Sequence, residues 1–294
     1  MDILTFDIEE WSLAKTGGYG SRELYCTYDR YLDNILSILN DRKIIATFFC
    51  VGKMGEDFPD VVRKIHDAGH EIGCHSYRHS WLNKMSEVEG REDTRMAVDA
   101  LEQCIGEKVL SYRAPAFSIG PSNLWAFEAL VENGILYDSS VFPAQRDFGG
   151  FPNFNRDTPV YVEYKGRRLL EFPIPTFKLV GKKIAYSGGG YFRLFPLSYI
   201  ERWKSCSDYF MAYFHLADLI SVTHGLMSKE KYESYFREKG SFLKRVTRFV
   251  KSNIGKKNAF VKLKSLLDAD SVFIPVRSAA KIVSNAECVQ LVQI

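Results

Sequence analysis

The sequence predicts an α/β protein built on a parallel sheet with helices packed outside it, either a barrel or a doubly wound sheet. Three observations carry this. Strand and helix signals alternate through the first 140 residues. Residues 44–51 (IIATFFCV) are short, β-branched and aromatic, and apolar on both faces, which suits a parallel strand buried on both sides. Four clusters of chemistry-bearing side chains each follow a predicted strand, and the carboxyl ends of parallel strands are where α/β active sites form.

The elements follow in order. Residues 3–7 are an apolar run ending in acid, read as the first strand. Residues 29–40 place Leu32, Ile35, Leu36 and Leu39 at helical spacing. After the strand at 44–51, residues 61–68 read as a helix stopped by Gly69, a natural C-cap. Residues 71–75 are the next strand. Ser86 and Glu89 have capping-box spacing and open a helix running to about Cys104. Residues 109–113 are strand-like, Pro121 suits the first turn of a helix ending at Gly134, and 135–139 are strand-like again.

Residues 143–196 differ. They hold most of the prolines and the run Gly188-Gly189-Gly190, and the extended pieces 160–164 and 169–172 predict a hairpin inserted in the main fold. A helix at 199–206 and an aromatic strand at 211–215 (MAYFH) follow. The expected division is one catalytic domain over 1–275 and a weakly patterned C-terminal extension over 276–294.

Composition narrows the function classes. With 294 residues, 46% apolar and 26% charged, the chain can bury a large core. A net charge of +3 gives no argument for nucleic acid. No apolar run approaches the ~20 residues of a membrane span. The opening MDILTFDIEEW lacks a leader pattern, and six scattered Cys without a C-x-x-C pair read as reduced thiols. The expectation is a soluble, cytoplasmic protein. Residues 229–264 carry 12 Lys or Arg and three Glu, so this stretch is +9 and the remainder about −6. It reads as a solvated helix face, or as a surface for phosphate or an anionic membrane. No Walker loop or G-x-G-x-x-G is present, which argues against a nucleotide cofactor.

Asp7-Ile8-Glu9-Glu10 offers two carboxylates, Asp7 and Glu9, at period two, which share a face on extended backbone. Taken alone, the run also reads as the acidic start of a helix. His75 and His79 have H-x3-H spacing, which suits zinc and its neighbours, and an acid from Glu9 or Asp7 would complete a two-His, one-carboxylate set with a position left for water. Alone, the pair reads equally as surface or core histidines. Arg113 can hold a carboxylate base through a charge-assisted pair, or serve as a structural ion pair at a strand end. His215 can protonate a leaving group, or be a satisfied buried histidine. Cys74 reads as a small buried hydrophobe, His66 as a helix-face residue and His224 as a loop residue; with His70, these two histidines fit no site.

The ordered segments TFDIEEW, GCHSYRHSWL, YRAPAFSIG, YDSSVF, GGGYFRLFP and YFHLAD, spread over roughly residues 1–250, resemble the polysaccharide deacetylase (NodB-homology) family in a D-x-E variant. The resemblance implies a distorted (β/α)7 barrel and metal-dependent hydrolysis of an acetamide on an N-acetylated amino sugar. It implies Asp7 as catalytic base, Glu9, His75 and His79 as metal ligands, and Arg113 as the residue orienting the base. It implies the backbone amide near Ala116 as oxyanion donor, His215 as general acid, and Asp138 as a further acid supporting Arg113 or His215. The implied cofactor is a divalent metal, Zn2+ first, with Co2+, Ni2+ or Mn2+ as alternatives. Ile8 stands where the commonest family pattern has a second aspartate, so the metal carboxylate moves to Glu9, and the Asp7 and Glu9 roles can be exchanged. The substrate expected for a cytoplasmic chain is a sugar-nucleotide or lipid-linked glycan precursor. Two rival readings are hydrolysis of another carbon–nitrogen bond, as in a cyclic ureide or imide, and a member that binds glycan without turnover.

Overall fold

The computed structural model describes residues 1–146, 148–220, 225–236, 238–269, 272–286 and 289–294. Its first half is the expected alternation. β1 (Asp2–Ile8) leads into α1 (Glu10–Thr16) and α2 (Arg22–Asp41). β2 (Thr47–Cys50) is followed by α3 (Met54–Asp57) and α4 (Pro59–Asp67), β3 (Glu71–Cys74) by α5 (Glu87–Ile105), and β4 (Ser111–Tyr112) by α6 (Trp125–Glu132) and β5 (Tyr137–Asp138). The Ser86/Glu89 capping box is formed at the start of α5. Pro121 is not in the first turn of a helix: α6 begins at Trp125, and the turn before it is held by Asn123, whose side chain accepts from the Gly120 amide and donates to the Ser118 carbonyl.

The middle segment holds β6 (Val160–Tyr164), β7 (Arg167–Glu171), β8 (Thr176–Leu179) and β9 (Lys182–Ala185), then α7 (Gly189–Leu194), α8 (Leu197–Lys204), β10 (Phe210–His215) and α9 (Leu216–Leu219). α10 (Lys229–Phe236), α11 (Phe242–Asn253), α12 (Ala259–Asp268), β11 (Phe273–Ile274), α13 (Val276–Ser284) and β12 (Leu291–Gln293) complete the chain.

Among the described residues the main sheet has ten strands in the order β10-β1-β2-β3-β4-β5-β7-β6-β12, with β11 beside β1. Within this sheet β6 and β7 pair antiparallel, and the other described pairs are parallel. The predicted hairpin is therefore present but is not an insertion. β7 also pairs parallel with β5 and continues the main sheet, and the separate piece is the small β8–β9 ribbon. α13 (Val276–Ser284) and β12 (Leu291–Gln293) pack into the same body. Val276, Ala279 and Ala280 are buried, the Val276 amide donates to Thr47, and β12 extends the sheet beside β6.

β1 shows how the sheet sets up the site. Its side chains alternate with the period of two. Leu4, Phe6 and Ile8 enter the larger apolar core under the helices, whereas Ile3 enters a second core with Phe49, Leu170, Met211 and Tyr213. Thr5 and Asp7 share the Ile3 face. That face also receives Arg113, which is fully buried, with its guanidinium 4.3 Å from the Phe49 ring centroid.

Candidate active site

The parallel register determines which side chains meet. Asp7 at the end of β1 pairs with His215 at the end of β10, so two strand ends deliver an acid and an imidazole to one rim. Glu9 follows immediately as the residue before α1, and His75 follows β3. The loop carrying His75 to His79 bends through two non-glycine residues with positive φ, Ser76 (64°) and His79 (58°). Such conformations are uncommon outside glycine and need support. The support is local: buried Asp93 accepts from the Tyr77 amide at 3.0 Å, and Ser76 Oγ accepts from the Ser80 amide at 3.0 Å.

Glu9, His75 and His79 each offer one ligand atom, all within 4.8 Å of one another. His79 Nε2 lies 2.5 Å from Glu9 Oε2, and His75 Nε2 lies 3.7 Å from the same oxygen. His75 Nδ1 is 2.7 Å from the Arg113 carbonyl, which makes Nδ1 the protonated nitrogen and leaves Nε2 its lone pair. Glu9 Oε2, His75 Nε2 and His79 Nδ1 are buried without a hydrogen-bond partner. Buried polar atoms normally find one; Glu9 Oε2 and His75 Nε2 face each other with His79 Nε2 beside them, and two imidazoles and a carboxylate have the composition of a divalent-cation site. The donor set therefore fits the metal that the sequence resemblance implies. Burial alone would raise the Glu9 pKa, but the charges of His79 and His215 and the His75 and His79 rings beside it hold it well below the carboxylate range.

Asp7 and His215 flank this trio, each held by a second group. Asp7 Oδ1 accepts from Arg113 Nη1 at 2.8 Å. Arg113 is itself fixed by bonds to Thr5 Oγ1 (2.8 Å) and Ser139 Oγ (3.0 Å). The other Asp7 oxygen faces His215 Nε2 at 3.7 Å, and that nitrogen is 3.9 Å from Glu9. Burial would lower the His215 pKa, yet Glu9, Asp218 and Asp7 together raise it well above the ordinary imidazole value.

The acid that holds His215 is Asp218, which sequence reading missed. Asp218 Oδ2 lies 3.0 Å from His215 Nδ1 and accepts from the His215 amide at 3.1 Å. Arg193, on the GGGYFR segment, lies 3.2 Å from Asp218 and donates to the carbonyls of Lys251, Ser252 and Ile254. Asp138, expected to support Arg113 or His215, has no described bond to either. It accepts from Ser140 Oγ at 2.5 Å, and that oxygen accepts from the Ala114 amide at 2.7 Å. Asp138 is therefore linked through Ser140 to the Ala114 backbone amide. Its buried neighbour Glu171 accepts from the Val141 amide; burial and then the Asp138 charge raise the Glu171 pKa well above normal. Ala116 has φ 56° and ψ 17°, a left-handed turn three residues beyond Arg113.

Other residues sort cleanly. Glu10 is buried beside Glu9 and accepts from the Ala217 amide at 2.7 Å; burial, then the Glu9 charge, pushes its pKa up to about 7. Cys74 is buried, and burial raises its thiol pKa well above normal, so it is an inert core group. Of the described cysteines, Cys26 and Cys206 are exposed. His70 packs against Phe48 and is kept neutral by burial, with a pKa near 4; His66 lies beside Asp67 on α4. His224 lies outside the described residues. Tyr235 of α10 stacks on His79 with ring centroids 6.5 Å apart, so part of the basic stretch borders the site.

Residues 4–130 match the family model for polysaccharide deacetylase, and residues 139–268 match a model described as a domain of unknown function, DUF3473. The site draws on both: Asp7, Glu9, His75, His79 and Arg113 lie in the first segment, and His215, Asp218 and Arg193 in the second. A peptidoglycan-N-acetylglucosamine deacetylase of Bacillus cereus is 32% identical over 127 residues, covering 41% of this chain and 46% of that protein. The chain thus spans less than half the length of this relative. Among solved structures, a protein of Mycobacterium smegmatis described as a putative polysaccharide deacetylase superposes with a TM-score of 0.64 at 19% identity, covering 100% of this chain and 92% of that one. PuuE allantoinase gives 0.59 at 17% identity, covering 97% and 91%. Both likenesses concern the fold, and they match the expected α/β architecture. Through residues 4–130, which match its model, this chain is similar to the polysaccharide deacetylase family.

Proposed function

We propose that this protein hydrolyses the acetamide of an N-acetylated amino sugar, in a polysaccharide or in its lipid-linked or nucleotide-linked precursor, with a divalent cation held by Glu9, His75 and His79. The observation that carries this reading is the placement of an Arg113-held carboxylate and an Asp218-held imidazole on either side of the three converging ligand atoms. The Bacillus cereus relative, named for removing acetyl groups from peptidoglycan, supports the reaction class. Zinc is the metal favoured by a two-His, one-carboxylate set.

When bound, the cation supplies an acidified water and a Lewis acid for the carbonyl oxygen. The protein's own groups do the rest. Asp7, fixed by Arg113, takes the proton of the attacking water. The Ala116 amide donates to the oxygen that gains charge as water adds to the carbonyl carbon. His215, kept protonated by its acidic neighbours, gives its proton to the amide nitrogen as the C–N bond breaks. Water and the acetamide become acetate and a free amine.

The test is incubation of purified, metal-loaded protein with N-acetylated chitooligosaccharides, peptidoglycan fragments, a nucleotide-linked N-acetylhexosamine and cyclic ureides. Equal amounts of acetate and new amine, both abolished in Asp7→Asn, are expected from at least one sugar. Turnover confined to a cyclic ureide would replace this reading with ring opening. Glycan binding without turnover in the metal-loaded protein would replace it with a binding role.

A further inference from the structure

The basic stretch folds into a helix whose apolar side is turned the wrong way for a surface helix. α11 has no buried residue. Phe242 (67% exposed), Leu243 (74%), Val250 (50%) and Ile254 (44%) are open to solvent. At 100° per residue they share an arc of roughly 120° with one another, the ordinary width of a core-facing stripe. The side turned to the protein is cationic instead. Arg245 donates to the Met227 carbonyl at 3.0 Å, and the Arg248 guanidinium lies 4.8 Å from the Phe236 ring centroid. Lys244 and Lys251 border the apolar arc and are exposed, Lys244 while also pairing with Glu238 at 2.9 Å.

We propose that the apolar arc of α11 seats this protein peripherally on an anionic lipid bilayer, with Phe242, Leu243, Val250 and Ile254 entering the interface and the bordering lysines meeting the headgroups. Charge selects this occupant. Residues 239–264 hold nine Lys or Arg and no Asp or Glu. A second copy docked strip to strip about a two-fold axis would bring two such net-cationic margins together, with Glu238, already paired with Lys244, as the adjacent acid. An anionic leaflet supplies both what the margin lacks and an apolar layer for the arc. Among the described residues no helix is long and apolar enough to cross a membrane, so the contact lies in the interface plane. α11 also abuts the site. Arg248 packs on Phe236, Phe236 contacts Trp81, and Tyr235 stacks on His79. The inference does not depend on the reaction proposed above.

The test uses the full chain with vesicles of phosphatidylcholine alone or mixed with phosphatidylglycerol, by co-sedimentation at low and high salt. The wild-type chain should bind the anionic vesicles, weaken in high salt, and bind neutral vesicles poorly. Phe242→Ser/Leu243→Ser keeps every charge and removes two exposed side chains, so its thermal midpoint should not move. Its vesicle affinity should fall roughly 100-fold, about tenfold per apolar group withdrawn from the interface. Absence of wild-type binding, or equal binding by the double variant, would overturn the proposal. A concentration-dependent dimer in sedimentation velocity, abolished by the same substitutions, would assign the strip to a second copy and overturn it too.

Discussion

Replacing Arg113 with methionine probes the buried centre of the fold and of the site together. Methionine keeps a comparable volume and removes every donor. Arg113 and Asp7 are both essentially inaccessible, at 0% and 2% exposure, and their ion pair is 2.8 Å long. Breaking a buried pair from one side leaves an uncompensated charge and costs about 3–5 kcal/mol. The Thr5 and Ser139 partners lose a donor as well. Arg113→Met should therefore lower the unfolding free energy by about 3–5 kcal/mol, measured by urea denaturation with a chelator in every sample. Asp7→Asn/Arg113→Met leaves no charge unpaired. Its cost should fall short of the sum of the single variants by roughly 1–3 kcal/mol. A loss under about 1 kcal/mol for Arg113→Met, or strict additivity in the cycle, would refute the claim that the two residues form one desolvated unit.

Other outcomes follow from the same contacts. Asp218→Asn should lower kcat by about 10–100-fold while KM and bound metal stay constant, because Asp218 orients His215 and touches none of the three ligand residues; loss of metal in this variant would contradict the positioning role. Arg193→Met should reproduce a weaker version of the same kcat effect. Glu171→Gln tests the buried acid pair through pH. The folded-state pKa of Glu171 is raised, so the folded protein holds a proton that the unfolded chain releases. That contribution is fully present below the unfolded value near 4.5, and is lost as pH rises through the folded pKa, at up to about 1.4 kcal/mol per pH unit. Glu171→Gln should flatten this alkaline decline in urea denaturation between about pH 5 and 8. A variant with the wild-type slope would show that Glu171 is ionised in the fold.

Much of this site was legible because strand ends bring distant motifs together. TFDIEE, GCHSYRH and YRAP each follow a strand of one parallel sheet, so their convergence follows from topology once the strands are identified. The D-x-E spacing also carries over, with Asp7 and Glu9 on the same rim although Glu9 lies beyond the strand. What escaped depended on contacts that no local pattern encodes. Asp218 could have been suspected from its position three residues after His215, where a helix turn returns the side chain. The Arg193 bonds to carbonyls some 60 residues away leave no signature in the chain. Asp138 carries the right chemistry in a matching motif, yet its strand directs it toward Glu171 and Ser140. The β6–β7 hairpin read as an insertion because a hairpin pattern specifies its own antiparallel pairing and says nothing about the second edge of β7. Residues 276–294 looked like an extension because α13 buries small side chains, Ala279 and Ala280, that hardly mark a core-facing stripe. The apolar arc of α11 was masked by the charge of the stretch around it.

The claim on which the rest depends is that Glu9, His75 and His79 form one metal-binding centre. Isothermal titration of chelator-stripped protein with Zn2+, checked by elemental analysis of the reloaded protein, tests it directly. About one equivalent should bind the wild-type chain. Glu9→Ala, His75→Ala and His79→Ala should each lose that site while retaining the wild-type far-ultraviolet circular dichroism. A wild-type chain that binds no divalent ion, or three alanine variants that bind as tightly as it does, would contradict the account.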